Sequence, residues 1–195
     1  MLQWSGEALI LKVDKFGDHD AIVHLFSGEH GLERGVVKAG MSSKRRADMQ
    51  PGTLVEARFK ARMPEHLGSI TFEPRHSFAA RVMHDPLRLA GAGSILALLS
   101  ATLAERDAHP DLYAATIHFL RHVAAGSETL VWLAEYVGSN WPCSKRVGFG
   151  LDLTSCVATG ATESLAYVSP KSRPRRQPRG GGALPRPAAE AAPRS

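Results

Sequence analysis

The first eighty residues break into five short runs suited to β-strands, and that spacing leaves few folds open. Ala8 to Val13, Ala21 to Phe26, Leu32 to Lys38, Thr53 to Arg62 and Ser69 to Phe72 are rich in Val, Ile, Leu and Phe. Turn-forming residues separate them: Gly17-Asp18, Gly28, Gly31, Pro51-Gly52 and Gly68. Five short strands in so little chain predict a small closed barrel. A five-stranded barrel of this size is the oligonucleotide-binding (OB) architecture, whose loops and one open face grip nucleic acid. The longest connection between strands, Ala39 to Gly52, holds the densest basic run, Lys44-Arg45-Arg46.

From Asp85 the apolar period becomes helical. Asp85-Pro86 is a capping residue followed by proline at the first helical position, and Leu87, Ile95, Leu98, Leu99 and Leu103 then fall close to one face. His109-Pro110-Asp111 opens a second helix with Leu112, Tyr113, Thr116, Ile117, Leu120 and Val123 on its apolar side, and Glu128 to Val137 reads as a third. These stripes are expected to be packing surface rather than a cofactor site. After Ser172 the chain turns to Pro, Arg, Gly and Ala with almost no apolar bulk, a composition that cannot offset the entropy of ordering.

Charge sharpens the picture through its distribution more than through the net +5. Residues 173–195 hold six arginines against the single acid Glu190. Residues 34–62 hold eight cations, Arg34, Lys38, Lys44, Arg45, Arg46, Arg58, Lys60 and Arg62, against Asp48 and Glu56. Those eight are the candidate DNA-binding residues, because cations tracking phosphates hold a strand without reading its sequence. Phe59 and Phe72 are aromatic candidates for stacking a base, although alternation along their strands points them toward the barrel core.

Catalytic patterns are missing. No P-loop, strand-borne G-x-G-x-x-G, H-E-x-x-H or nucleophile elbow occurs, and the nine histidines lack ligand spacing. The chain is therefore not expected to be an enzyme, nor to need a cofactor. Cys143 and Cys156 are too few for a disulfide framework or a four-thiolate zinc site. No apolar run approaches the roughly 20 residues of a membrane helix, and no signal-peptide layout opens the chain, so a cytoplasmic location with no membrane partner is expected.

The order of several motifs resembles a known family. They are Trp4, Gly17-Asp-His-Asp20, Phe26-Ser-Gly-Glu-His-Gly-Leu32, Gly35-Val-Val-Lys-Ala-Gly40, Ser42-Ser-Lys-Arg45, Gln50-Pro-Gly52, Glu105-Arg-Asp-Ala-His-Pro-Asp-Leu-Tyr113, Gly148-Phe-Gly-Leu-Asp-Leu-Thr-Ser-Cys156 and Ala166-Tyr-Val-Ser-Pro-Lys171. Together they are similar to the bacterial RecO recombination mediators. The resemblance implies an N-terminal OB barrel, a helical domain and binding to single- and double-stranded DNA. It also implies annealing of complementary strands, and partnership with RecR and the single-stranded-DNA-binding protein to load RecA at the nucleoid. Some members carry a four-cysteine zinc site in the second domain. Cys156 stands where that site would begin, but Thr159 occupies the place of a second thiolate, so no zinc is expected.

Two segments depart from the family pattern. Gly138 to Val147 contains Gly, Asn and Pro where a helix should continue. Any codons for residues 138–145, read one base earlier, allow Arg-Phe-Glu-Leu-Ala-Leu-Leu-Lys with the central Leu-Ala forced, which is a good amphipathic helix segment. Reading Arg175 to Arg179 one base later allows Ala-Val-Ser-Arg-Ala. Both suggest local frameshifts, which resequencing of the coding DNA would decide. The expected organisation is thus an α+β chain of more than one domain. An OB-fold barrel covers 1–80, an all-α helical domain covers 81–172 with 138–147 aberrant, and a disordered Arg/Pro-rich tail covers 173–195. Two other readings stay open: a barrel that serves only as a protein-interaction adaptor, and a small RNA-binding OB protein.

Overall fold

A long, bent first strand organises the barrel in the computed structural model, which describes residues 2–63, 66–126, 128–134, 136, 167–168 and 175–176. Strand β1 (Leu2–Phe16) pairs antiparallel with β4 (Thr53–Ala61) through its first half and with β2 (Asp20–Ser27) through its second. A register shift between Ile10 and Lys12 marks the changeover, a bulge that bends the strand from one wall to the next. Strand β3 (Gly31–Val37) follows β2, and β5 (Gly68–Ser77) follows β4. The order around the closed barrel is β1-β2-β3-β5-β4, with β3 and β5 parallel. That order is the OB-fold barrel expected from the five runs, with β1 starting earlier and β5 ending later than the apolar runs alone suggested.

Closure depends on two glycines facing each other. Gly35 of β3 pairs with Gly68 of β5, and only the next rung, Val36 with Ser69, completes that seam. A Cβ on Gly35 would come within 2.7 Å of Ile70, and one on Gly68 would overlap the ring of Phe59. The two strands can approach only because neither position carries a side chain, and Phe59 and Ile70 fill the barrel directly beneath.

Alternation along each strand splits the apolar residues into two cores. Ala8, Ile10, Val23, Leu25, Val37, Val55, Ala57, Phe59 and Ile70 fill the barrel interior. Leu9, Leu11, Phe26, Leu32 and Leu54 point outward, yet they are buried because helices cover them. The covering helices are α2 (Phe78–Val82), α3 (Pro86–Thr102) and α4 (Pro110–Ala124), with residues 129–134 also helical. Asp85 caps α3 as its sequence implies, its Oδ1 accepting the N–H groups of Leu87 and Arg88, both at 3.1 Å. The buried stripe of α3 is Ala92, Ile95, Leu96 and Leu99 rather than the one drawn through Leu87. Leu87 is exposed, and the stripe's first position is held by Arg88, which donates to the Val123 carbonyl and lies over the ring of Trp132. Helix α4 buries Leu112, Thr116, Ile117, Leu120 and Val123 as expected, and Phe119 with them.

These elements belong to one compact unit, 1–149, and residues 150–195 form a second. In the second, β6 (Tyr167–Val168) pairs antiparallel with β7 (Arg175–Arg176). The rest of the 173–195 tail, residues 138–147, Cys156 and Thr159 lie outside the described residues. Among the described residues, no helix is long and apolar enough to cross a membrane.

Candidate nucleic-acid interface

The chain leaving β3 turns at Ala39, whose φ of 53° is unusual for a residue with a side chain. Asp20 steadies that turn, its Oδ1 accepting the Ala39 N–H at 2.8 Å, which explains the acid at the β1–β2 turn. The connection then forms a short helix, α1 (Ser43–Asp48), before Met49 inserts into the barrel interior. Lys44, Arg45 and Arg46 lie on this helix, and the last two occupy its final turn, where cations favour the exposed carbonyls. Arg45 and Arg46 are exposed, and Arg46 shares a surface depression with Lys15 of β1. Lys38, also exposed, stands between β3 and the turn.

The remaining candidates sit elsewhere. Arg58 and Lys60 project outward from β4, and Arg62 follows the strand's end. At roughly 3.3 Å per residue, Lys60 lies some 20 Å along β4 from the end that α1 enters. The eight cations therefore do not form one patch. Among the described residues, Lys38, Arg45, Arg46, Arg58, Lys60 and Arg62 make no ion pair within 4.0 Å.

Cross-strand neighbours decide what these cations present. Ser5, Arg58 and Thr71 form one outward rung across β1, β4 and β5, and Glu7, Glu56 and Glu73 form the next. Arg75, a cation outside the basic window of the sequence, reaches Glu56 at 3.9 Å and lines a shallow groove with Arg58 and Glu73. Three carboxylates thus stand beside three cations, Arg58, Lys60 and Arg75, on this wall. Sequence reading missed Arg75 and Lys15 because only strand pairing and the fold of α1 bring them to the other cations.

Arg34 is engaged. Its Nε donates to Glu105, while Arg106 donates to Glu33 at 3.2 Å, so crossed ion pairs bind residues 105–106 to the edge of β3. The backbone joins in, with Arg106 N–H donating to the Leu32 carbonyl at 2.9 Å. Gly31 is needed here, because its φ is +70° and a Cβ would collide with the backbone of Asp107. Two segments behind the family resemblance, Phe26 to Leu32 and Glu105 to Tyr113, are therefore packing partners. Burial raises the Glu33 carboxyl above the usual glutamate range despite Arg106. On the neighbouring rung, Lys12, His24 and Arg34 lie side by side. Burial lowers the His24 imidazole below its ordinary value, with Lys12 and Arg34 adding to the effect and Asp14 opposing it.

The aromatic candidates divide as well. Phe59 is fully buried and packs 5.9 Å from Trp4, so it offers no face to a base, in line with its inward place on β4. Phe72 is half-buried against the barrel interior. Among the described residues no group of three or more His, Cys, Asp or Glu side chains has the arrangement of a metal site.

A closed β1-β2-β3-β5-β4 barrel, with a helix between β3 and β4 and further helices packed on its outer wall, defines an OB-fold protein with an appended helical region. The family model described as "Recombination protein O N terminal" matches residues 1–78, and the one described as "Recombination protein O C terminal" matches residues 83–194. The chain belongs to the RecO family of DNA repair proteins. It is 42% identical over 171 residues to the DNA repair protein RecO of Paracoccus denitrificans (strain Pd 1222), a match covering 88% of this chain and 69% of the relative. It is 39% identical over 171 residues to that of Jannaschia sp. (strain CCS1), covering 88% of this chain and 68% of the relative.

Proposed function

We propose that this chain is a non-enzymatic recombination mediator that binds single- and double-stranded DNA through the basic surface at α1, with Lys44, Arg45 and Arg46 at its centre. In this reading it anneals complementary strands, and with RecR it helps load RecA onto DNA covered by single-stranded-DNA-binding protein. The observation that carries the reading is the pair of exposed guanidinium groups of Arg45 and Arg46, without an ion-pair partner among the described residues, on the helix that links β3 to β4 of an OB barrel. Such groups contact phosphates of any sequence, as annealing of arbitrary complements requires. Lys38 and Lys15 extend the contact. Arg34 joins when Glu105 lets it go, and Arg58, Lys60 and Arg62 contribute less because of the acids beside them.

The test is binding of labelled single- and double-stranded DNA, and annealing of complementary oligonucleotides, by the wild-type chain and by the triple variant Lys44→Glu, Arg45→Glu, Arg46→Glu. The reading expects loss of binding for all DNA sequences alike, and loss of annealing with it. Unchanged binding at moderate salt contradicts the reading and leaves the barrel as a protein adaptor. A clear preference for RNA of equal length favours an RNA-binding role instead.

A further inference from the structure

The barrel has a cleft that DNA binding leaves unused. It lies between the start of β1, the β2–β3 turn and the first turn of α4, and its walls include Trp4, Gly6, Glu7, Glu29, His30 and Tyr113. Its floor is aromatic: Trp4 stacks on His30 with ring centroids 4.7 Å apart and planes 20° apart. Trp4 is only 7% exposed, and its indole N–H has no hydrogen-bond partner among the described residues. Gly6 has nothing within 4 Å of the point where a side chain would begin, so the wall is open there.

The charge of the cleft is one-sided. Among the described residues Glu7 and Glu29 line it and no lysine or arginine does. Glu7 accepts a hydrogen bond from the Tyr113 hydroxyl at 3.0 Å, which leaves its second oxygen for a ligand. Glu56 faces Glu7 across the strand pair, but Arg75 answers its charge there, so the acidity of the cleft comes from Glu7 and Glu29. Burial, and then the Glu7 charge, hold the Tyr113 hydroxyl far above the ordinary phenol pKa, with Arg121 opposing them. Phosphates are repelled from such a place. A guanidinium suits it, since it pairs with a carboxylate through two hydrogen bonds and lies flat on aromatic rings.

We propose that this cleft docks an arginine-bearing segment of a partner protein, with the guanidinium held by Glu7 and Glu29 beside the stacked rings of His30 and Trp4. The proposal does not rest on the DNA-binding reading, and its site shares no residue with the α1 surface. The test follows the Trp4 indole resonance of the isotope-labelled chain, assigned by its loss in Trp4→Phe, while the blocked peptide acetyl-Gly-Arg-Gly-amide is added. The peptide is expected to shift that resonance saturably. The citrulline peptide, equal in shape but uncharged, binds at least about tenfold more weakly, because the charge-assisted pair is lost. Glu29→Gln, at an exposed position that does not threaten the fold, weakens the arginine peptide and leaves DNA binding unchanged. Equal affinity for the citrulline peptide overturns the proposal, as does an indole resonance that the arginine peptide fails to move. An indole that responds to oligothymidylate instead of the peptide assigns the cleft to nucleic acid and overturns it too.

Discussion

Two sets of cations face outward from the same barrel in opposite electrical company. On α1, Arg45 and Arg46 are exposed and unpaired among the described residues, share their surface with Lys15, and have Asp48 as the one acid of their helix. On β4, Arg58 and Lys60 belong to a wall where Glu7, Glu56 and Glu73 line up on the adjacent rung, and where Arg75 already leans on Glu56. Opposite charges a few ångströms apart cancel each other's field well within the Debye length of about 10 Å at 0.1 M salt. The first set therefore projects a positive potential and the second nearly none. A count along the sequence merges them, and the barrel separates them.

Both cation sets stand on a closed barrel, so the largest effect comes from opening it. Gly68→Val places a branched side chain against the Phe59 ring at the β3–β5 seam. It should lower stability by at least about 3 kcal/mol in urea titration, as core overpacking at a point without slack does. The DNA binding proposed for α1 should then be lost with the fold. A wild-type urea midpoint would show that the seam is not closed on these two glycines.

Next comes the buried acid beneath Arg34. Arg106→Met leaves Glu33 buried without its partner and is expected to destabilise by about 3 kcal/mol, the usual consequence of stranding one half of a buried pair. The pH dependence has a definite sign. Glu33 has a raised pKa in the folded state, so its contribution is fully present below the usual glutamate range and is lost as pH rises through the folded value. Glu33→Gln should remove that decline, which chemical denaturation at a series of pH values will register. A stability difference between wild type and Glu33→Gln that grows with pH in the wild type's favour would reverse the assignment.

The β-strands were legible because period-2 alternation and turn residues announce them. The starts of α3 and α4 were legible because Asp85-Pro86 and His109-Pro110 hold the cap positions. Helix α1 was not, since Ser43 to Asp48 has no apolar stripe and its one buried anchor, Met49, lies just past its end. The first turns of β1 were hidden too, because Gly6 and Glu7 are poor strand formers and the ladder to β4 decides their state. Of the candidate site, the residue types were readable but their grouping was not. Glu7 and Arg75 stand on either side of Glu56 and Arg58 through strand pairing, and no window of sequence contains all four. Arg34 was counted as free because Glu105, its partner, lies 71 residues away.

Smaller effects sharpen the contrast. Glu73→Gln removes one acid from the β4 wall and should raise DNA affinity by about twofold to threefold, while stability stays within about 0.5 kcal/mol for an exposed position. The same neutralisation on α1, Asp48→Asn, should change affinity less, since that surface is already positive. Glu105→Gln releases Arg34 at a stability change below about 1 kcal/mol, as for other partly exposed pairs, with a slight gain in DNA affinity. Equal gains from all three, read by fluorescence anisotropy, would mean that the rungs do not partition the charge.

The most direct test of the account is the salt dependence of single-stranded DNA binding, measured for the wild type, for Arg45→Glu with Arg46→Glu, and for Arg58→Glu with Lys60→Glu. Each phosphate contact removed should flatten the plot of log affinity against log salt by about 0.7. The account predicts that the α1 pair flattens the slope by about 1.4, as two lost contacts would, and that the β4 pair leaves it nearly unchanged. A slope that flattens equally in both variants, or only in the β4 variant, would contradict the claim that the helix between β3 and β4 is where this barrel holds DNA.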